Sequence, residues 1–390
     1  MFKFFKKNKK AVNNNMNDIS NPIVKVVYSN ALVENIYAAC TCCYCNIKQD
    51  LSYEEKLDYI ERRVKAGHGS VLEHGRIILK VRIPDDRKSE TDLLDVLSSK
   101  ASMYFTVDND CCIHSIYISS SVRGFKYFVE NCSFAKIGYD KNEVEMKLFK
   151  TIVEFLPSIF FADTYEELFK GRILDVYDFT MSRCGQLMPR SNIAKGSGIA
   201  YELLSVDRRD LEDMDYDKCI DIGFDINSLA QVKKETIISL PSSIQYEMPV
   251  TVVFKNMSRT ATHQLVRHRN AITQESQRYV DYSNASFTVP SSVDSNAVYK
   301  TTLFGEVTIE QLVEKLMSIY PELVNQKMKK EDARSFLPSN VNCGKLYMTF
   351  TLGSLLKFLE LRTDPHAQAE IRSYAKLVKT FVDNHIVIVD

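Results

Sequence analysis

The chain has 390 residues, with 50 basic and 50 acidic side chains and a formal net charge of zero. At about 150 residues per domain, this length predicts two or three domains, or one large domain with an extension. A neutral charge balance argues against a general nucleic-acid-binding protein, which needs a basic surface. No run of about 18 apolar residues is present, so no membrane span is predicted.

Glycine is scarce, at 13 residues, and neither a GxGxxG nor a GxxxxGK[ST] motif occurs. Arginine and histidine side chains are therefore expected to bind any phosphate group. The ten cysteines, without an apolar stretch after the charged N-terminus, favour a reducing, cytoplasmic compartment. Cys40, Cys42, Cys43 and Cys45 lack CxxC spacing and fall in a helical pattern, which favours buried thiols, and no metal site is predicted.

Strand-like and helix-like patterns alternate along the chain, which predicts an α+β fold. Residues 1–20 are rich in lysine and asparagine and are expected to be a disordered basic tail. An N-terminal half is expected over residues 21–182, with strands at 23–28, 76–83 and 111–119 and helices at 30–46, 53–66, 121–132 and 141–156. Residues 183–198 contain proline, serine and three glycines and are predicted to be a linker.

The C-terminal half is expected over residues 199–390. Its predicted strands are 249–255 and 345–351, and its predicted helices are 227–236, 258–269, 308–319, 330–336, 351–361 and 365–382. Asp364 is predicted to cap the last helix, with Pro365 at the first helical position and His366 in the first turn. The apolar residues of that helix repeat at helical spacing, which indicates contact with a core: Ile371, Tyr374, Ala375, Val378 and Val382.

The densest chemical signal lies at residues 264–282, QLVRHRNAITQESQRYVDY. Arg267, His268, Arg269 and Arg278 place four potential cations within twelve residues. A solvated charged face remains one interpretation, but such faces on this chain combine lysine with glutamate. Arginine with nearby serine and glutamine suits a nucleotide monophosphate or a pyrophosphate better.

Two further motifs contain clustered histidines. GHGSVLEH at residues 67–74 precedes a predicted strand, and its spacing does not match the HExxH zinc motif. LRTDPHAQAEIR at residues 361–372 contains Arg362 and His366. Five of the seven histidines lie in or beside these three motifs.

Together these motifs resemble the flavin-dependent thymidylate synthases. That family has an Arg-His-Arg triplet followed by a serine and then Arg-Tyr, and here the triplet at 267–269 precedes Ser276-Gln277-Arg278-Tyr279. SRTATHQLV, Ala333-Arg334, GHGSVLEH and LRTDPHAQAEIR also resemble the family. The resemblance covers residues 22–82 and 249–385.

The resemblance implies methylation of dUMP at uracil C5, with methylenetetrahydrofolate as the carbon donor and FAD, reduced by NADPH, as the hydride source. It assigns Arg362 to stabilising negative charge on the pyrimidine, an electrostatic role that needs no protein thiol. The residues it assigns to dUMP are Gln264, Arg267, Glu275, Ser276, Gln277, Arg278, Arg334 and Arg362. Those it assigns to FAD are His68, Ser70, Glu73, Arg123, Arg267, His268, Arg269 and His366.

Internal similarity suggests that the chain is a diverged tandem duplication. Residues 70–83 resemble 243–256, and residues 117–128 resemble 347–358. Family enzymes are homotetramers with shared sites, so a homodimer of fused pairs or a homotetramer is expected. The flavin would then lie between the halves, and only the second half would bind dUMP.

Two departures from the family pattern leave other functions open. Only six residues separate Arg269 from Ser276, one fewer than in the family, and Ala369 stands where the family usually has tryptophan. The first alternative is a related flavin enzyme that modifies another pyrimidine nucleotide or adds a hydroxymethyl group to dUMP. The second is a non-catalytic nucleotide-binding relative.

Overall fold

The computed structural model describes residues 23–29, 32–44, 51–82, 103–110, 113–131, 148–149, 152–153, 156–163, 220–223, 246–289, 293–294 and 296–385. The strands are β1 (Ile23–Ser29), β2 (Arg76–Arg82), β3 (Met103–Asp110), β4 (Ile113–Ser121), β5 (Ile220–Gly223), β6 (Pro249–Ser258), β7 (Ala271–Gln274), β8 (Val298–Thr301), β9 (Gly305–Thr308) and β10 (Asn342–Thr351). They form two four-stranded antiparallel sheets, ordered β1-β2-β4-β3 and β5-β6-β10-β7, and a separate β8-β9 hairpin.

The chain combines these antiparallel sheets with helices, which confirms the α+β class. They are α1 (Leu32–Cys42), α2 (Tyr53–Lys65), α3 (Val122–Glu130), α4 (Arg259–Leu265), α5 (Ile309–Met317), α6 (Ile319–Asn325), α7 (Lys330–Ala333), α8 (Leu352–Thr363) and α9 (Ala369–His385). Side-chain oxygens cap several helix starts by accepting a backbone N–H three residues on, and these caps are Ser52, Ser121, Ser258, Thr308 and Thr351.

The central strand pairs of the two sheets have the same register. β2 pairs with β4 from Arg76↔Ser121 to Arg82↔Ser115, and β6 pairs with β10 from Pro249↔Thr351 to Lys255↔Lys345. In both sheets the last residue of the later strand also caps the following helix: Ser121 at the end of β4 and Thr351 at the end of β10. The backbone N–H of the first helical residue then donates to the carbonyl of the residue that precedes the partner strand. Val122 donates to Gly75, which precedes β2, and Leu352 donates to Met248, which precedes β6.

The two halves pack against each other through one face of each sheet. Alternate residues of β2 point to opposite faces, so Ile77 and Leu79 pack in the first core while Ile78 packs in the second. Tyr117 of β4 joins Ile78 among the residues of the second half. This double burial explains the adjacent apolar residues Ile77, Ile78 and Leu79 in β2, because both faces of the strand are covered at these positions.

Several predicted elements differ from the structure. Among the missed elements are β3, β5, β7, the β8-β9 hairpin and α6, and β4 lies two residues later than expected. The last helix was predicted wrongly to begin at Pro365, because α9 begins at Ala369 and residues 364–368 form a loop. Arg362 therefore lies in the last turn of α8, and His366 lies outside a helix.

Three predicted features lie outside the described residues: the tail at 1–20, the linker at 183–198 and the helix at 227–236. The predicted helix at 141–156 is helical at residues 148–149 and 152–153, but Leu156, which is also described, lies outside a helix. The predicted apolar stripe of α9 is buried at Ile371, Tyr374, Ala375, Val378 and Val382.

Candidate functional site

The Arg-His-Arg triplet lies where α4 gives way to β7. Ser258 caps α4, and the buried Glu370 carboxylate fixes that cap by accepting from Ser258 N at 2.8 Å and Ser258 Oγ at 2.5 Å. A short 3-10 turn, Val266–His268, ends the helix, and Arg269 adopts a left-handed conformation with φ of 52°. This reversal leaves Arg269 exposed while His268 turns inward and is half-buried.

His268 holds the side chain of Arg362. Arg362 Nε donates to His268 Nε2 at 3.0 Å, and the imidazole packs edge-on against Phe358 with ring centroids 5.1 Å apart. Burial, and then the positive charge of Arg362, lower the pKa of His268. The imidazole is therefore neutral at neutral pH and accepts through Nε2. Within the described chain, the terminal amino groups of Arg362 make no hydrogen bond, so they remain available to a ligand.

The loop at residues 275–279 contains four of the eight residues that the resemblance assigns to dUMP. Glu275 is buried, its backbone N donates to Lys345 O at 2.9 Å, and its carboxylate accepts from Tyr282 Oη at 2.7 Å. The carboxylate lies against Gly344, where an added Cβ would be 2.0 Å from Glu275 Oε2. Gln277 is also buried. Glu275 and Gln277 thus fix the loop from inside.

Ser276 and Arg278 lie on the more accessible side of this loop. Ser276 N donates to the carbonyl of Cys43 at 3.1 Å, so that backbone donor is already used, and Ser276 Oγ accepts from Arg278 N at 3.3 Å. Arg278 forms an exposed ion pair with Glu331 at 3.2 Å.

Two further candidates lie beside this loop and the triplet. Arg334 Nε donates to the carbonyl of Glu331 at 3.1 Å, so Arg278 and Arg334 meet at one residue although they are far apart in sequence. Gln264 bonds to Gln368 in the loop between α8 and α9.

The first half presents its candidates on a 3-10 turn, Gly69–His74. His68 and Ser70 are exposed, and Glu73 pairs with the exposed Arg123 at the start of α3. His74 is completely buried and anchors the turn to the second sheet through Thr349 Oγ1 at 2.9 Å and Thr273 Oγ1 at 3.0 Å. Thr273 lies in β7, the strand that follows the triplet, so His74 holds the 3-10 turn against that strand.

Burial lowers the pKa of His74 to about 3, so this histidine is neutral. Its partner Thr349 also hydrogen-bonds to Thr251 at 2.9 Å, and Thr251 donates to Asn35 in α1 at 3.4 Å. A buried polar network therefore connects the two halves. The motif GHGSVLEH drew attention to His74, but the threonines that bond to it lie in strands without a distinguishing local pattern.

His366 lies on the loop at residues 364–368 and is 96% exposed. Asp364 Oδ1 accepts from His366 N and from the ring Nδ1, both at 2.8 Å, which closes a turn instead of capping a helix. Arg372 donates back to the carbonyls of Pro365 and Ala367. This loop keeps His366 accessible close to the end of α8, where Arg362 lies.

The donor set around the junction fits a phosphate-rich cofactor. Exposed arginine, histidine and hydroxyl side chains come from both halves, and the sites that bind pyrophosphates use such groups when no glycine-rich turn is present. They are His68, Ser70, Arg123, Arg267, Arg269 and His366. In the described residues, no group of three or more His, Cys, Asp or Glu side chains could hold a metal ion. None of the described helices is long and apolar enough to span a membrane.

Comparison with known proteins supports the resemblance for the second half. Residues 229–385 match a family model described as thymidylate synthase complementing protein. A flavin-dependent thymidylate synthase of Pyrococcus furiosus is 36% identical over 139 residues, which is 34% of this chain and 54% of that protein. Proteins of the same name from Nitratidesulfovibrio vulgaris and Geobacter sulfurreducens are 36% and 35% identical over 137 and 128 residues, or 33% and 32% of this chain and 53% and 52% of those proteins.

The chain thus spans about half the length of the curated relatives it matches. The resemblance is confirmed for the part of the chain that contains the triplet, the loop at residues 275–279 and the motif around Arg362, all of which lie within residues 229–385. The motif GHGSVLEH lies outside the residues matched by this family model.

Proposed function

We propose that this protein is a flavin-dependent thymidylate synthase, which converts dUMP to dTMP. The observation that best supports this function is the placement of Arg362. Its Nε is held by a neutral histidine of the triplet, while its terminal amino groups remain open to a ligand. A guanidinium held in this way can stabilise negative charge that develops on a pyrimidine ring.

The remaining second-half candidates bind and orient the nucleotide in this proposal. Arg278 and Arg334, which both contact Glu331, provide fork-shaped donors for the phosphate. Glu275 and Gln277 are buried and shape the base pocket, and Gln264, Arg267 and Ser276 lie on its accessible side. Arg362 then polarises the uracil so that C5 becomes nucleophilic.

FAD is the proposed cofactor, methylenetetrahydrofolate the carbon donor and NADPH the reductant. Reduced flavin, when bound, supplies the hydride that completes the methyl group. The side chains that hold it come from both halves: His68, Ser70, Glu73 and Arg123 from the first, and Arg267, His268, Arg269 and His366 from the second. Because Arg362 occupies Nε2 of His268, that histidine can offer a flavin only its other ring nitrogen or its backbone.

We further propose that residues 21–182 and 199–390 are diverged tandem copies joined by a linker at 183–198. The equal strand orders and the matching registers of β2-β4 and β6-β10 support this origin. So does a reciprocal contact, because His74 bonds to Thr349 and the equivalent Glu247 bonds to the equivalent Ser119. Such exchange of equal contacts is characteristic of a two-fold interface.

A fused pair would form a homodimer with four copies of the unit, or a homotetramer of chains. The free thiols Cys40, Cys42, Cys43 and Cys343 are consistent with a cytoplasmic location.

An assay of the purified full chain tests the proposed function. We expect a yellow protein that forms dTMP when dUMP, methylenetetrahydrofolate and NADPH are supplied together. A yellow protein that consumes dUMP but releases a different nucleotide would support the related pyrimidine-modifying enzyme instead. A colourless protein that binds dUMP without turnover would support the non-catalytic relative.

A further inference from the structure

The loop at residues 275–279 of the second half, here called the nucleotide loop, contacts the first half at two points. Ser276 N donates to the carbonyl of Cys43, and the ring of Tyr279 lies 4.8 Å from the ring of Tyr44 with an interplanar angle of 35°. Tyr44 lies two residues after the end of α1, in the half that lacks the triplet.

A second first-half residue, Arg63, also contacts the ring of Tyr44. The Arg63 guanidinium lies 4.1 Å from the centre of the Tyr44 ring, which is close enough for a cation–π contact. Arg63 is itself fixed by a hydrogen bond to Tyr59 Oη at 3.1 Å, and Tyr59 packs edge-on against the buried Tyr37. The support for Tyr44 therefore reaches back to the first core.

The Tyr279 ring is also contacted by Arg278, a proposed phosphate ligand. Its guanidinium is 5.6 Å from the centre of the Tyr279 ring. Its ion pair with Glu331 is exposed on both sides, at 52% and 40%, and exposed pairs of this kind fix a side chain only weakly. A continuous series of contacts thus joins the two halves through four side chains, Arg63, Tyr44, Tyr279 and Arg278.

We propose that Tyr44 and Arg63 are positioning residues that set the nucleotide loop, and with it Arg278, for binding of the dUMP phosphate. This inference rests on the proposed function. It assigns the first half a role in nucleotide affinity although that half has no triplet. Neither residue contacts Arg362, so the effect falls on affinity for dUMP and leaves turnover at saturation unchanged.

The test compares four variants of the full chain with the wild type: Tyr44→Ala, Tyr44→Phe, Arg63→Gln and the control Tyr127→Ala. Tyr127 is an equally large, exposed tyrosine of the first half, on α3. The dissociation constant for dUMP is measured by calorimetry, together with flavin content, the thermal midpoint, and KM and kcat for dUMP. We expect Tyr44→Ala to weaken dUMP binding on the order of tenfold, since it removes both a stacking and a cation–π contact.

Arg63→Gln should show a smaller loss, and Tyr44→Phe should restore near wild-type affinity because it retains the ring. KM should rise with the dissociation constant while kcat, flavin content and the Tyr127→Ala values stay at wild-type level.

Several results overturn the inference. Wild-type dUMP affinity in Tyr44→Ala would do so, as would a Tyr44→Phe variant as weak as Tyr44→Ala. If Tyr44→Ala does not fold, unchanged affinity in Arg63→Gln has the same meaning. Failure of the wild type itself to bind dUMP would instead refute the proposed function.

Discussion

The two halves share a backbone arrangement but differ in the side chains placed on it. Glu73, His74 and Arg123 of the first half correspond by register to Tyr246, Glu247 and Gly353 of the second. The ion pair between Glu73 and Arg123 is replaced by a backbone hydrogen bond from Gly353 to Tyr246 at 2.7 Å.

The contacts of His74 and of its counterpart Glu247 also differ in charge. His74 is neutral between two threonines, whereas Glu247 forms an ion pair with Arg76 at 2.9 Å. Burial raises the pKa of Glu247, and the Arg76 charge opposes that rise. Equal topology therefore leaves the chemistry of each half to be decided by individual residues.

The sharpest test of this difference is Arg362→Ala. The first half has no described counterpart of this arginine, so we expect turnover to fall while flavin content stays constant. Loss of a charge-assisted contact costs on the order of 1.5–3 kcal/mol, or about 10- to 150-fold in rate. Lys357→Ala removes an exposed cation from the same helix and serves as the control. Normal turnover in Arg362→Ala would show that another residue activates the base.

A reciprocal pair of substitutions tests the division of labour. Arg123→Ala should lose FAD, by about tenfold or more in affinity, and keep dUMP binding nearly intact, whereas Arg278→Ala should do the reverse. Equilibrium dialysis with each ligand gives both constants. Arg62→Ala, which removes another exposed, ion-paired arginine of the first half, should change neither. Full flavin occupancy in Arg123→Ala would refute the division, and so would residues 200–390 alone binding FAD and turning over.

The burial of His74 predicts that the stability of the protein depends on pH. His74 has a pKa of about 3 in the folded chain and an ordinary value near 6.5 when unfolded, so its contribution is complete above pH 6.5. Below that pH the unfolded chain takes up a proton that the folded chain excludes, and the free energy of unfolding falls by up to about 1.4 kcal/mol per pH unit.

Denaturant titrations between pH 4 and pH 8, compared with His74→Gln, isolate this contribution. The neutral amide of the variant cannot titrate, so its stability should fall less steeply with acid than that of the wild type. Parallel curves would mean that His74 does not control acid stability.

The smallest effect is expected for Cys343→Ala. Cys343 is buried in β10, and burial raises the pKa of its thiol, which makes it a poor nucleophile. dTMP formation by the variant should match that of the wild type once the fraction of folded protein is measured by circular dichroism. A folded but inactive variant would argue for covalent attack by a thiolate.

Local sequence signals predicted many of the elements well. Arg76 and Pro249 begin strands as expected, and Ser121, Ser258 and Thr351 cap helices as local patterns indicate. The β3 sequence MYFTVDND was missed because its second half is polar, and pairing with β4 supplies the stabilisation.

Asp364-Pro365 matched a helix start, but the Asp364 carboxylate binds within its own turn. The contacts between halves could not be predicted at all, because Tyr44, Thr273 and Thr349 meet residues more than a hundred positions away.

The shared register has a consequence for the order in which the sheets form. Arg76 pairs with Ser121 across 45 residues, whereas Pro249 pairs with Thr351 across 102. Closing the longer loop costs about 0.7 kcal/mol more in chain entropy, and non-local pairing slows folding. We therefore expect the first sheet to assemble earlier during folding. Its anchored His74 turn would then offer a preformed surface on which the second sheet, with the longer excursion between β6 and β10, can close.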